Sequence, residues 1–140
     1  MENKYFTPDI EDMSIGCEYE LYHQEDGWKK VIFSAWENFN YDAFIHCLKD
    51  KEVRVPYLTK ELIENEGWHS PEVYRDGGTL VYKKDKHEIT FRGENRMTPS
   101  TEIVITELFE MMDRTTRHIL FKGHCKDINT FRKIIKLLGI

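Results

Sequence analysis

Histidine stands next to cysteine twice in this chain, at His46-Cys47 and His124-Cys125, and Cys17 and His23 add two more side chains of the kinds that hold zinc. A metal site needs such ligands brought to one point. On a strand His124 and Cys125 point to opposite faces, and neither C-x-x-C nor H-E-x-x-H occurs. The same residues suggest a cysteine nucleophile beside a histidine base, which requires the thiol to be held as thiolate. Each cysteine falls instead in a pattern that reads as packing. Carboxylates are abundant, yet Glu61, Glu64 and Glu66 read as the wet face of a helix and Glu18 and Glu20 as the wet face of a strand. No acid pair for hydrolysis stands out from them. The G-x-x-x-x-G-K phosphate cradle is absent. These patterns predict no catalytic residue, no metal and no cofactor, and a small hydrolase working through a histidine such as His118 or His124 is carried only as a third reading.

What the residue types offer instead is recognition. Arg92 and Arg96 flank one polar segment, Arg114 and Arg117 flank another, and Trp68 with Tyr74 lies in a third. Guanidinium forks and exposed rings grip phosphates and stack on partner side chains. These six positions are the candidate ligand- or partner-binding residues. Against that reading stands the plainer one, in which they are ordinary loop residues and Trp68 closes a helix against a sheet.

The elements that would position them follow from periodicity. Cys17, Tyr19 and Leu21 alternate with Glu18 and Glu20, Asp26-Gly27 marks a turn, and Trp28 to Phe33 returns, which predicts a half-exposed hairpin. Tyr41, Phe44, Ile45 and Leu48 lie at helical spacing behind Asn40, a capping residue. Val53-Arg54-Val55 reads as a short strand halted at Pro56. Thr59 opens a second short helix, Leu62 and Ile63 would dock it, and Gly67 would end it. Gly78 to Arg92 reads as two strands turning at Lys84-Asp85-Lys86, followed by a polar loop to Ser100. Strands at Glu102–Phe109 and His118–His124 are separated by the charged connection Met-Met-Asp-Arg-Thr-Thr-Arg. Asp127 then caps a closing helix with Ile128, Phe131, Ile134, Ile135 and Leu138 on one stripe, Arg132, Lys133 and Lys136 opposite, and Gly139 beyond. The sum is an α+β fold, a single domain over residues 1–140 with a largely antiparallel sheet covered by the C-terminal helix and two short additional helices.

Bulk properties agree with one folded body. A chain of 140 residues, 40% apolar and 13% aromatic, is long enough to bury a core, while 32% charge keeps it wet outside. No apolar run approaches the roughly twenty residues of a membrane span, the amino terminus has no continuous hydrophobic segment, and three widely spaced cysteines suit a reducing compartment. Cytoplasmic placement is therefore expected. The net charge of −5 is unevenly spread: residues 1–28 sum to −7 and residues 111–140 to +5. An acidic total argues against nucleic acid as a partner, whereas a local basic face suits a small anion or an acidic protein surface.

VRVPYLTKELIENEGW, the carboxyl end ILFKGHCKDINTFRKIIKLLGI and the opening KYFTPDIEDMSIG resemble small uncharacterised proteins of bacteriophages and mobile elements of Bacteroidetes-type bacteria. The resemblance rests on a Pro-x-Leu-Thr-x-Glu helix start followed by Gly and an aromatic residue, here Pro56, Leu58, Thr59, Glu61, Gly67 and Trp68. It implies an accessory protein that binds a host protein or sequesters a small anionic ligand such as a nucleotide signal. The second reading is an assembly protein whose acidic amino end and basic carboxyl end meet in a neighbouring copy, giving a homo-oligomer.

Overall fold

A computed structural model describes residues 4–34, 40–69, 80–92 and 102–140. The fold is α+β, with two four-stranded antiparallel sheets and three α-helices among the described residues. Where one sheet was expected there are two, because strand order is set by long-range pairing that local periodicity does not encode. The chain divides into two compact units, residues 1–57 and 58–140, each with its own core.

In the first unit, β1 (Tyr5–Phe6), β2 (Glu18–His23), β3 (Gly27–Ile32) and β4 (Val53–Pro56) order as β1-β4-β2-β3. The β2–β3 hairpin forms as its alternation predicts and closes with Gly27 at φ +74°, where a side chain would be strained. Helix α1 (Tyr41–Lys49) starts at Asn40, whose side chain accepts from the Ala43 N–H at 3.1 Å. It buries Phe44 against Tyr19 and Phe33 in edge-to-face contacts, with Val53 and Val55 beneath, while Tyr41, expected on the same stripe, is exposed.

In the second unit, α2 (Lys60–Asn65) is capped by Thr59 and stops before Gly67 at φ +87°. Strands β5 (Leu80–Lys84), β6 (His87–Arg92), β7 (Glu102–Met111) and β8 (Arg114–His124) form a meander in sequence order. Asp127 caps α3 (Ile128–Leu138) through the Thr130 N–H at 3.0 Å, and Gly139 ends it at φ +72°. Ile128 and Phe131 press on Tyr82, Ile89, Phe91, Ile103 and Ile105, with Ile63 and Trp68 completing the layer. Arg132, expected in solvent, instead pairs with Glu66 at 2.6 Å and ties α3 to the end of α2. The expected polar loop beyond Arg92 lies outside the described residues. No helix among the described residues is long and apolar enough to cross a membrane.

The charged connection between the last two strands is a correction. Met111 and Arg114–Arg117 belong to the strands, which turn only at Met112-Asp113. Alternation fails there as a guide because neither face of this stretch is buried, so nothing selects apolar residues at every second position.

Candidate functional site

The extra length of β7 and β8 makes an arm. Strand β6 pairs with β7 as far as His87 opposite Glu107, and the Leu108 N–H still reaches the Lys86 carbonyl at 2.7 Å. Beyond that point Leu108 to Met111 pair only with Arg114 to Arg117 among the described residues. Every residue from Phe109 to Ile119 is exposed. Among them Phe109 is 36%, Ile119 64%, Met111 70% and Met112 fully exposed. Met112 also holds φ +52°, a left-handed value that Gly or Asn takes at a hairpin turn with less strain. Neither core packing nor turn chemistry calls for methionine here.

The base of the arm is fixed by charge. Lys86 pairs with Glu107 at 2.5 Å, and its ammonium holds the Glu107 carboxyl below the usual carboxylate range. The same ammonium lies 5.8 Å from the Phe109 ring, which in turn packs on His118 at 4.7 Å. On the other face Glu88, 3% exposed, sits between Lys83 at 3.2 Å and Arg117 at 3.5 Å. At the tip Met111, Met112, Asp113, Arg114 and Thr116 surround a shallow concavity of about 590 Å³.

Of the six candidate residues, the structure brings Arg114 and Arg117 together on this arm. Tyr74 and Arg96 lie outside the described residues, and of Arg92 the backbone alone is described, paired with Glu102 at the end of β6. Trp68 is wholly buried, edge-on to Phe131 at 6.2 Å, so its ring is not presented to a ligand. It reads as polar-segment residue from sequence because its neighbours are charged; its burial comes from α3, more than sixty residues away. Phe109, Met111, Met112 and Ile119 were missed. The available signal was a Met-Met pair inside a polar run long enough to be two strand ends.

Among the described residues, two other surfaces carry charged and aromatic groups. Glu66, Trp68, Lys84, Phe131, Arg132 and Lys136 line a cavity of about 250 Å³, but Lys84 donates to the Glu66 carbonyl at 3.1 Å and Arg132 closes on the Glu66 carboxylate. On the first unit's sheet the Arg54 guanidinium lies between the rings of Tyr5 (3.7 Å) and Trp28 (4.0 Å) and pairs with Glu20 through two bonds of 3.2 Å. Arg54 and Arg132 are thus each paired with a carboxylate, and Lys84 is held by a backbone carbonyl.

Two of the three thiols, Cys47 and Cys125, are placed against nucleophilic chemistry. Burial, with Asp127 adding to it, pushes Cys125 up to about 12, and burial with the Glu52 carboxylate raises Cys47. A protonated thiol is a poor nucleophile. His124 is exposed while Cys125 is interior, and among the described residues no three His, Cys, Asp or Glu side chains gather where a metal ion would sit. Comparison of the chain with protein-family models, curated proteins and solved structures finds no match.

Proposed function

We propose that this chain is a non-enzymatic binding protein of the phage or mobile-element kind, and that it engages a host protein through the β7–β8 arm. The observation that carries the reading is the arm's exposed apolar set, Phe109, Met111 and Met112, with Ile119 exposed at its base, on a segment that contributes little to either core. Exposed apolar surface raises the free energy of the free protein unless a partner covers it. Methionine and arginine are enriched at interfaces, methionine because its flexible thioether adapts to an irregular surface. Cytoplasmic placement rests on three cysteines that are all free thiols. Among the described residues a small anion would meet Lys84, Arg132 and Lys136 in one cavity, where Arg132 already pairs with the Glu66 carboxylate and Lys84 donates to the Glu66 carbonyl.

Site-specific photo-crosslinking in the expressing cell tests this. A photoreactive residue at Met112 is expected to give an adduct with another protein, while the same residue at Leu137, 86% exposed on α3, gives none. Equal labelling at both positions, or none at Met112, contradicts the proposal. An adduct between two copies of the chain would replace it with the assembly reading.

A further inference from the structure

The outer edge of β8 has a definite hydrogen-bonding pattern. Because the Leu108 N–H is turned toward Lys86, just before β6, Leu108 and its partner Arg117 form a non-hydrogen-bonded pair across β7–β8. Antiparallel alternation then makes Glu110–Thr115 and Thr106–Ile119 pairs of the same kind. Thr115, Arg117 and Ile119 therefore direct their N–H and C=O groups away from β7. Among the described residues nothing pairs with them. The opposite edge of the same sheet differs, since His69 bonds Lys83 in both directions at 2.7 and 2.8 Å and closes β5.

Long open edges invite another strand, and the charge of this edge selects which one. Residues 114–124 contain Arg114, Arg117, Lys122, His118 and His124 and no acid. Arg117 and Lys83 share a single carboxylate, Glu88, and Arg114 has no ion pair among the described residues. The arm's acids Glu110 and Asp113 sit on β7 and at the turn, roughly one strand spacing (about 4.8 Å) further from an added strand. Pairing β8 with β8 of a second copy would set bases beside bases, which is destabilising.

We infer that the β8 edge receives an extended acidic segment of a partner protein, which adds to the sheet as a fifth strand. The inference rests on the arm being the contact element and deepens that reading. Main-chain bonds to Thr115, Arg117 and Ile119 supply affinity, and acids opposite Arg114, Arg117 and Lys122 supply selectivity.

Panning a phage-displayed library of random twelve-residue peptides against the full chain tests it. Enriched sequences are expected to carry Asp or Glu among β-branched residues, and to lose at least tenfold in affinity when alternate peptide amides are N-methylated. Thr115→Pro removes one outward N–H without taking a β7–β8 bond or a charge, and is expected to abolish peptide binding while the thermal midpoint is kept. Enrichment of neutral or basic peptides, no enrichment at all, or binding indifferent to N-methylation overturns the inference. The N-methylated peptides decide the matter even if Thr115→Pro fails to fold. A Met112 crosslink to a partner together with failed panning would remove the strand addition and leave the arm as the contact element. Failed crosslinking with acidic peptides still bound would do the reverse.

Discussion

Replacing Trp68 by alanine is expected to cost the second unit about 3–5 kcal/mol, the range for truncating a buried large aromatic side chain. The residue has no exposed surface, and its ring is enclosed by Phe131 and the layer that includes Ile63 and Tyr82. A unit of this size moves its midpoint by about 4–8 °C per kcal/mol, so the shift would exceed roughly 12 °C, and a marginal unit would not fold. Trp68→Phe is expected to retain most of the stability, because the indole Nε1 has no hydrogen-bond partner among the described residues and none is lost. Circular dichroism melts of the two variants check both statements. A Trp68→Ala protein that melts like the parent but no longer binds its partner would return this residue to the binding site.

Alkaline pH should weaken the second unit through Cys125. The buried thiol keeps its proton to about 12, whereas an unfolded cysteine ionises near 8.5 to 9. Between those values the unfolded state binds fewer protons than the folded state, so the free energy of unfolding falls as pH rises. The stabilisation is fully present below about pH 8.5 and is lost at about 1.4 kcal/mol per pH unit until the folded thiol itself ionises. Over the full window the loss is about 4 kcal/mol. The raised values of Cys47 and Tyr19 act in the same direction within the first unit. Urea titrations at pH 8, 9 and 10 on the parent and on Cys125→Ala separate the causes. The parent is expected to lose stability across the series, and the variant to lose markedly less. Parallel slopes in the two proteins would show that Cys125 is not responsible.

Capping and periodicity made much of the fold legible in the sequence. Asn40, Thr59 and Asp127 accept the first-turn N–H groups they were expected to accept, and the stripe Ile128, Phe131, Ile134, Ile135, Leu138 faces the core. Those signals are local, and the energy that enforces them is local too. The division into two sheets was not legible, since whether β4 pairs with β2 or with a later strand depends on closing long loops. Nor was the arm, because Arg114-Thr115-Thr116-Arg117 has no buried face to impose alternation and its charges resemble those of a loop. Of the candidate binding residues, Arg114 and Arg117 fall on the exposed arm and Trp68 in the interior. Residue type alone could not separate them: arginine and tryptophan serve interfaces and interiors alike, and neighbours distant in sequence decide which.

The arm is long, apolar at its tip and remote from the buried layers, so it should be dispensable for folding and required for binding. The most direct measurement is the thermal midpoint of a chain in which residues 108–117 are replaced by Asn-Gly. Glu107 and His118, a hydrogen-bonded pair by the same alternation, would then flank a two-residue turn. The half-buried Leu108, its bond to Lys86, the Arg117–Glu88 pair and the contacts of the Phe109 ring with His118 and Lys86 are lost from the body of the sheet. The account predicts cooperative unfolding within about 8 °C of the parent, equivalent to about 1 kcal/mol. A shortened chain that fails to fold, or that melts far below this range, would show that the arm holds the structure together and contradict its assignment as the contact element.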